Sequence, residues 1–133
     1  MLVIQREVKL PRLEQDMLCA FITFALDYLN VCCPAAIIIA SDRDASGIRT
    51  TANFSPDNGV IRVLGLGRAL PDIVRSCAHE LVHFKQTLTG DMDKYPHTDV
   101  GGYLEDQASS GAAEMLKAFS YIFPPGVIYK PRE

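Results

Sequence analysis

Apolar side chains recur along this chain with two periods, and the switches between them outline its elements. Leu13, Met17, Phe21, Phe24, Ala25 and Tyr28 return every three or four residues, the spacing that keeps side chains on one face of an α-helix. Pro11, its φ already near the helical value, can open that helix, which runs to Leu29 before Asn30 and Pro34 stop it. Ala35 to Ala40 has the Ile38-Ile39 density of a buried strand, and Gly47 to Phe54 alternates enough for a second. Asp57-Asn58-Gly59 reads as a hairpin turn leading into a third strand, Val60 to Leu64.

Two more helical patterns follow. Cys77, Leu81, Phe84 and Leu88 form the apolar stripe of one, entered through Arg68 to Pro71. Ala108, Ala112, Met115 and Phe119 form the stripe of another, which begins near Tyr103. Between them runs a polar, glycine-rich loop from Thr89 to Gly102. After the second, Pro124-Pro125-Gly126 turns the chain into a tail, Val127 to Glu133, expected as a short strand or an extended arm. The order is an N-terminal helix, a small and mostly antiparallel sheet, then two helices. It predicts an α+β fold in one domain, residues 1–133, and a 48% hydrophobic content is enough to fill one core.

The polar face of the first C-terminal helix carries the chemistry. In His79-Glu80-Leu81-Val82-His83, a turn of about 100° per residue sets the two histidines about 40° apart and one turn apart, so both imidazoles can reach a single ion. Glu80 projects about 60° from His83, within reach of a water held there. Neutral imidazoles suit zinc, and a carboxylate beside them can take a proton from such a water. H-E-x-x-H on a helix therefore points to one Zn2+ per chain held by His79 and His83, with Glu80 as general base.

Zinc needs a third protein ligand. The continuation H-E-x-x-H-x-x-G-x-x-H fails, because Gln86 and Thr89 stand where it requires glycine and histidine. Glu105, at the start of the last helical run, is the strongest candidate, with small residues beside it that would let the two helices approach closely. His97, in the loop, is a rival, and Asp106 is a further acid in range. Glu114 falls on the opposite face of Glu105's helix and is expected in solvent.

His79-Glu80-x-x-His83 followed by Glu105-x-x-Ala108 resembles the gluzincin arrangement of zinc metallopeptidases, in which a glutamate on the next helix completes a His2Glu site. Glu105-Asp106-Gln107-Ala108, then Ala112-Ala113-Glu114, is similar to the E-x-[EQ]-A…A-A-E stretch of ImmA/IrrE-like metallopeptidases. His83-Phe84-Lys85-Gln86 and Gly90 are similar to the same region of small H-E-x-x-H proteins of bacteriophages and bacteria. The resemblance covers roughly the second half of the chain. Ser109 departs from it, standing where Asp or Asn often steadies a ligand histidine, although a hydroxyl can accept the same hydrogen bond.

The resemblance implies a minimal zincin-like core and hydrolysis of a peptide bond in a peptide or protein substrate. It also implies an edge strand beside the motif helix that aligns the substrate by strand addition, for which Val60 to Leu64 is the candidate. Tyr95, His97 and Tyr103 are candidates for stabilising the oxyanion. Were His97 the third ligand, the chain would resemble SprT-like metallopeptidases instead. A zinc-stabilised binding or regulatory protein without proteolysis is the alternative from another class. It leaves Glu80 without a task and needs a fourth ligand, for which Cys77 is poorly aimed.

A net charge of −3 with scattered Lys and Arg lacks the basic footprint of nucleic-acid binding. The apolar stretch from Met17 to Ala40 is broken by Asp27, Asn30 and Pro34, which excludes one membrane span. Cys19, Cys32, Cys33 and Cys77 include no C-x-x-C pair, and reduced, buried thiols are expected. With no targeting signal at the N-terminus, a cytoplasmic protein is expected. Oligomeric state is left open.

Overall fold

A computed structural model describes residues 2–42, 51–95, 101–123 and 127–129. The chain runs β1 (Ile4–Arg6), α1 (Arg12–Leu29), β2 (Ala36–Ala40), β3 (Ala52–Ser55), β4 (Val60–Leu64), α2 (Leu70–Thr89), α3 (Asp91–Lys94) and α4 (Tyr103–Ile122), then a 3-10 turn, Val127–Tyr129. The α+β class holds. Asn30 ends α1 in the left-handed region, at φ 55°, where its short polar side chain is tolerated. Gly59, at φ 69°, closes the expected β3–β4 hairpin.

The four strands lie in the order β1-β2-β4-β3. β1 pairs parallel with β2, β2 parallel with β4, and only β3 and β4 are antiparallel. The expectation of a mostly antiparallel sheet is thus corrected. It has two sources: β2 pairs parallel with β4 rather than with β3, and β1, whose Ile4-Gln5-Arg6 carries no apolar alternation, is a strand through its parallel pairing with Ile37 to Ile39. Helix α1 then serves as the crossover that a parallel neighbour requires.

The parallel pairing also corrects the edge. β4 is central, bonded on both sides, and Ile61 and Val63 are fully buried beside Ile37 and Ile39 of β2. The edge strand on that side is β3. Residues 47–50 of the expected second strand, and the Pro124-Pro125-Gly126 turn with residues 130–133 of the tail, lie outside the described residues.

Helix α2 touches β3, β4, α1 and α4, and the core gathers around it. Cys77, Ala78 and Leu81 are fully buried, as are Leu18, Phe21, Ile22 and Ala25 of α1. Phe119 of α4 meets Phe21 edge-on at a centroid distance of 5.2 Å and Phe24 at 5.6 Å, a favoured aromatic geometry. The expected stripe of α4, Ala108, Ala112, Met115 and Phe119, is buried throughout. A Cβ on Gly111 would lie 3.1 Å from Cγ2 of Val82, so small residues do bring α4 close to α2.

Several expectations about burial are overturned, among them those for Leu13 and Tyr28 at the two ends of α1, which are exposed. Leu88 is 54% exposed near the end of α2, while Gln86, in the same last turn but on the histidine face, is inside at 1%. Cys19, Cys32 and Cys33 are exposed, on the outer side of α1 and in the turn after it, and only Cys77 is buried; all four are free. Among the described residues no helix is long and apolar enough to cross a membrane.

Candidate metal centre

Helix α2 carries His79 and His83 one turn apart on the side facing α4, and the imidazole centroids are 4.9 Å apart. Glu105, in the first turn of α4, reaches both. Its Oε2 lies 3.0 Å from Nε2 of His79, and its Oε1 lies 2.9 Å from Nε2 of His83. A carboxylate only accepts hydrogen bonds, so at each ring nitrogen either an N–H donates to it or a metal ion lies between the two.

Among the described residues, these three form the group whose ligand atoms converge, all within 4.8 Å of one another. Bonds of about 2.0–2.2 Å at tetrahedral angles put zinc ligand atoms about 3.3–3.6 Å apart, so small rotations bring the set to coordination distance. Two imidazoles and a carboxylate are also the right chemistry, and the residues fit the ion. Burial pushes the His79 pKa down and the neighbouring His83 adds to this, while Glu105 opposes it. The neutral ring that a metal needs is thereby favoured.

Ser109 Oγ stands 3.5 Å from Nδ1 of His79, at the position the departure from the family pattern had singled out. Behind His83, Nδ1 is 2.7 Å from Oε1 of Gln86. The Gln86 amide donates to the Leu104 carbonyl at 3.0 Å and to Oε1 of Gln107 at 2.8 Å.

Glu80 is 8% exposed. Desolvation, the largest cause, and then Glu105 raise its pKa to about 7, with His83 opposing. It opens with His79 and Glu105 into a cleft of about 400 Å³ whose far side is Thr51 and Ala52, at the start of β3. Arg68 and Arg75 also line the cleft. The Arg68 guanidinium is held in place, donating to the Leu64 carbonyl at 3.0 Å, the Asp72 carbonyl at 3.1 Å and Ser76 Oγ at 3.0 Å.

Comparison of the chain with protein-family models, with curated proteins and with solved structures returned no match.

The other expected residues stand apart. Tyr95 and Tyr103 stack on each other at 4.1 Å between centroids, and neither lines the cleft. His97 lies outside the described residues. Asp106 and Glu114 are exposed and take no part in the cluster. The Cys77 thiol sits in the core, where burial pushes its pKa up to about 12 despite Arg68, so it offers no thiolate to a metal.

Gln86 and Arg68 were missed by sequence reasoning. Gln86 had a weak signal: it is a polar residue about one turn beyond His83, on the face of α2 that carries the histidines and opposite the apolar stripe. Arg68 had none, since its role comes from carbonyls that the fold gathers around it.

Proposed function

We propose that this protein is a metal-dependent hydrolase, a zinc metallopeptidase of gluzincin type, with His79, His83 and Glu105 as the metal ligands. The observation that carries the reading is Glu80. It is a carboxylate buried beside the ligand cluster, opening into the same cleft, with its pKa raised to about 7. A general base is most effective with a pKa near the working pH. A metal site with a purely structural role has no use for such a group.

Zinc bound at this site supplies Lewis acidity and lowers the pKa of a coordinated water toward about 7. Glu80 accepts a proton from water in the cleft and delivers it to the leaving amine. His79, Glu105 and the start of β3 bound the space in which the scissile bond would lie. Edge strand β3, rather than central β4, is the element suited to align an extended peptide by backbone pairing. Arg68 and Arg75, which line the cleft, are better placed to meet a developing negative charge than the stacked Tyr95 and Tyr103. The substrate is a peptide or protein, and four free cysteines fit a reducing cytoplasm.

A metal-stabilised binding module would close the site with a fourth protein ligand, and no such side chain joins the three among the described residues. The test is metal analysis of the purified protein together with cleavage of a peptide library by the wild type and by Glu80→Gln. One zinc per chain, with cleavage lost in the variant by at least ~10²-fold, is the expected result. Stoichiometric zinc with no cleavage would favour the binding module, and no metal would end both.

A further inference from the structure

We propose that Gln86 is a positioning residue. It fixes the tautomer of His83 so that the Nε2 lone pair faces the metal site, and it ties that ring to the turn of α4 that carries Glu105. The inference rests on the reading of His79, His83 and Glu105 as a metal centre. The argument is one of donors and acceptors. The Leu104 carbonyl can only accept, so the Gln86 atom 3.0 Å away must be the NH2 group. That orientation is reinforced by Oε1 of Gln107, which accepts from the same nitrogen at 2.8 Å. The other end of the amide is then Oε1, an acceptor, and it lies 2.7 Å from Nδ1 of His83.

Nδ1 must therefore carry the proton. With Nδ1 donating to Gln86, Nε2 is the nitrogen that faces the metal site, and it can meet Oε1 of Glu105, 2.9 Å away, only across a bound metal ion or, without one, as a second N–H of the ring. The opposite tautomer would set a lone pair of Nδ1 against a lone pair of Gln86 in a buried place, since Gln86 is 1% and His83 8% exposed. Water cannot repair that contact. Leu104 and Gln107 lie on either side of Glu105 in the sequence, so one side chain orients a histidine ligand and grips the helical turn of the carboxylate ligand. His79 has no equivalent: its Nδ1 meets the exposed Ser109 at the longer distance of 3.5 Å.

Protonation of Nδ1 is measured directly in full-length, chelator-treated protein labelled with 15N-histidine, by long-range proton–nitrogen correlation. The wild type is expected to show a proton on Nδ1 of His83, whether or not Nε2 carries a second one toward Glu105. Gln86→Leu, which keeps the volume and removes the amide, is expected to show a mixture. Gln107→Ala is expected to retain the Nδ1–H form, because the Leu104 carbonyl still orients the amide. In competition with a zinc chelator, Gln86→Leu should lose about 10–100-fold in affinity, the usual effect of removing a ligand's hydrogen-bond partner.

A wild-type His83 protonated on Nε2 alone overturns the proposal, and that measurement needs no variant to fold. So does a Gln86→Leu protein with the wild-type tautomer and zinc affinity. A wild type that takes up no zinc sinks the metal centre instead, and is told apart because the tautomer is read without metal.

Discussion

Replacing Glu80 by Gln should stabilise the metal-free protein, by an amount that depends on pH. Glu80 is 8% exposed, and its carboxyl is raised from the ordinary 4.5 to about 7, chiefly by burial. The folded protein therefore holds this proton more tightly than the unfolded chain does. Between those two values the folded state binds more protons, so stability falls as pH rises through the window, and the full loss is present above about 7. At about 1.36 kcal/mol per pH unit, the loss is about 3 kcal/mol.

Glutamine is close in size and carries no charge, so it escapes this cost. Urea unfolding of chelator-treated wild type and Glu80→Gln between about pH 5 and 8 measures the difference. The variant should gain less than about 1 kcal/mol at pH 5 and about 3 kcal/mol at pH 8. With a slope of about 1–3 kcal/mol per molar urea, that is a rise of about 1–3 M in the midpoint at pH 8. An equal or lower stability of Glu80→Gln at pH 8, or a gain that does not grow with pH, would refute the account. The same variant loses hydrolysis if Glu80 is the base, so stability and activity should move in opposite directions, as groups kept for function tend to do.

Glu105→Ala should weaken zinc binding severely while the exposed Glu114→Ala leaves it unchanged, as read by chelator competition; equal effects would remove Glu105 from the ligand set. Zinc at about 100 times its Kd should raise stability by about 2.7 kcal/mol, and stripping it should lower the thermal midpoint without abolishing the far-UV helical signal. A chain that unfolds outright on chelation would instead be a metal-nucleated module. Phe119→Ala removes a ring that is 1% exposed and packed edge-on against Phe21 and Phe24, and should cost about 3–5 kcal/mol in urea unfolding. A loss under 1 kcal/mol would mean that α4 is not seated on α1 as described.

Most of the helical architecture was legible in advance because helices announce themselves locally. A 3.6-residue period is a property of neighbours in sequence, and it outlined α1, α2 and α4, with α4 running three residues past Phe119, the last of its apolar stripe. The errors cluster where a helix leaves the core: Leu13, Tyr28 and Leu88 keep the period and are still exposed, because periodicity reports a face and not what covers it. Strand pairing was less legible. β1 is three residues long with one partly buried, and nothing in Ile4-Gln5-Arg6 reveals a partner more than thirty residues away.

His79, Glu80 and His83 could be grouped from sequence alone, since their spacing on one helix settles which way they face. Glu105 is a different matter. Its position 22 residues beyond His83 is compatible with many placements, and the close approach of α4 to α2, allowed by Ala108, Gly111 and Ala112, brings its carboxylate to 2.9 and 3.0 Å from the two rings. The raised pKa of Glu80, the Gln86 amide between two helices and the place of β3 at the end of the strand order likewise exist only in three dimensions. Local spacing sets direction within one element; desolvation, hydrogen-bond partners and sheet order are relations between elements, and only packing creates them.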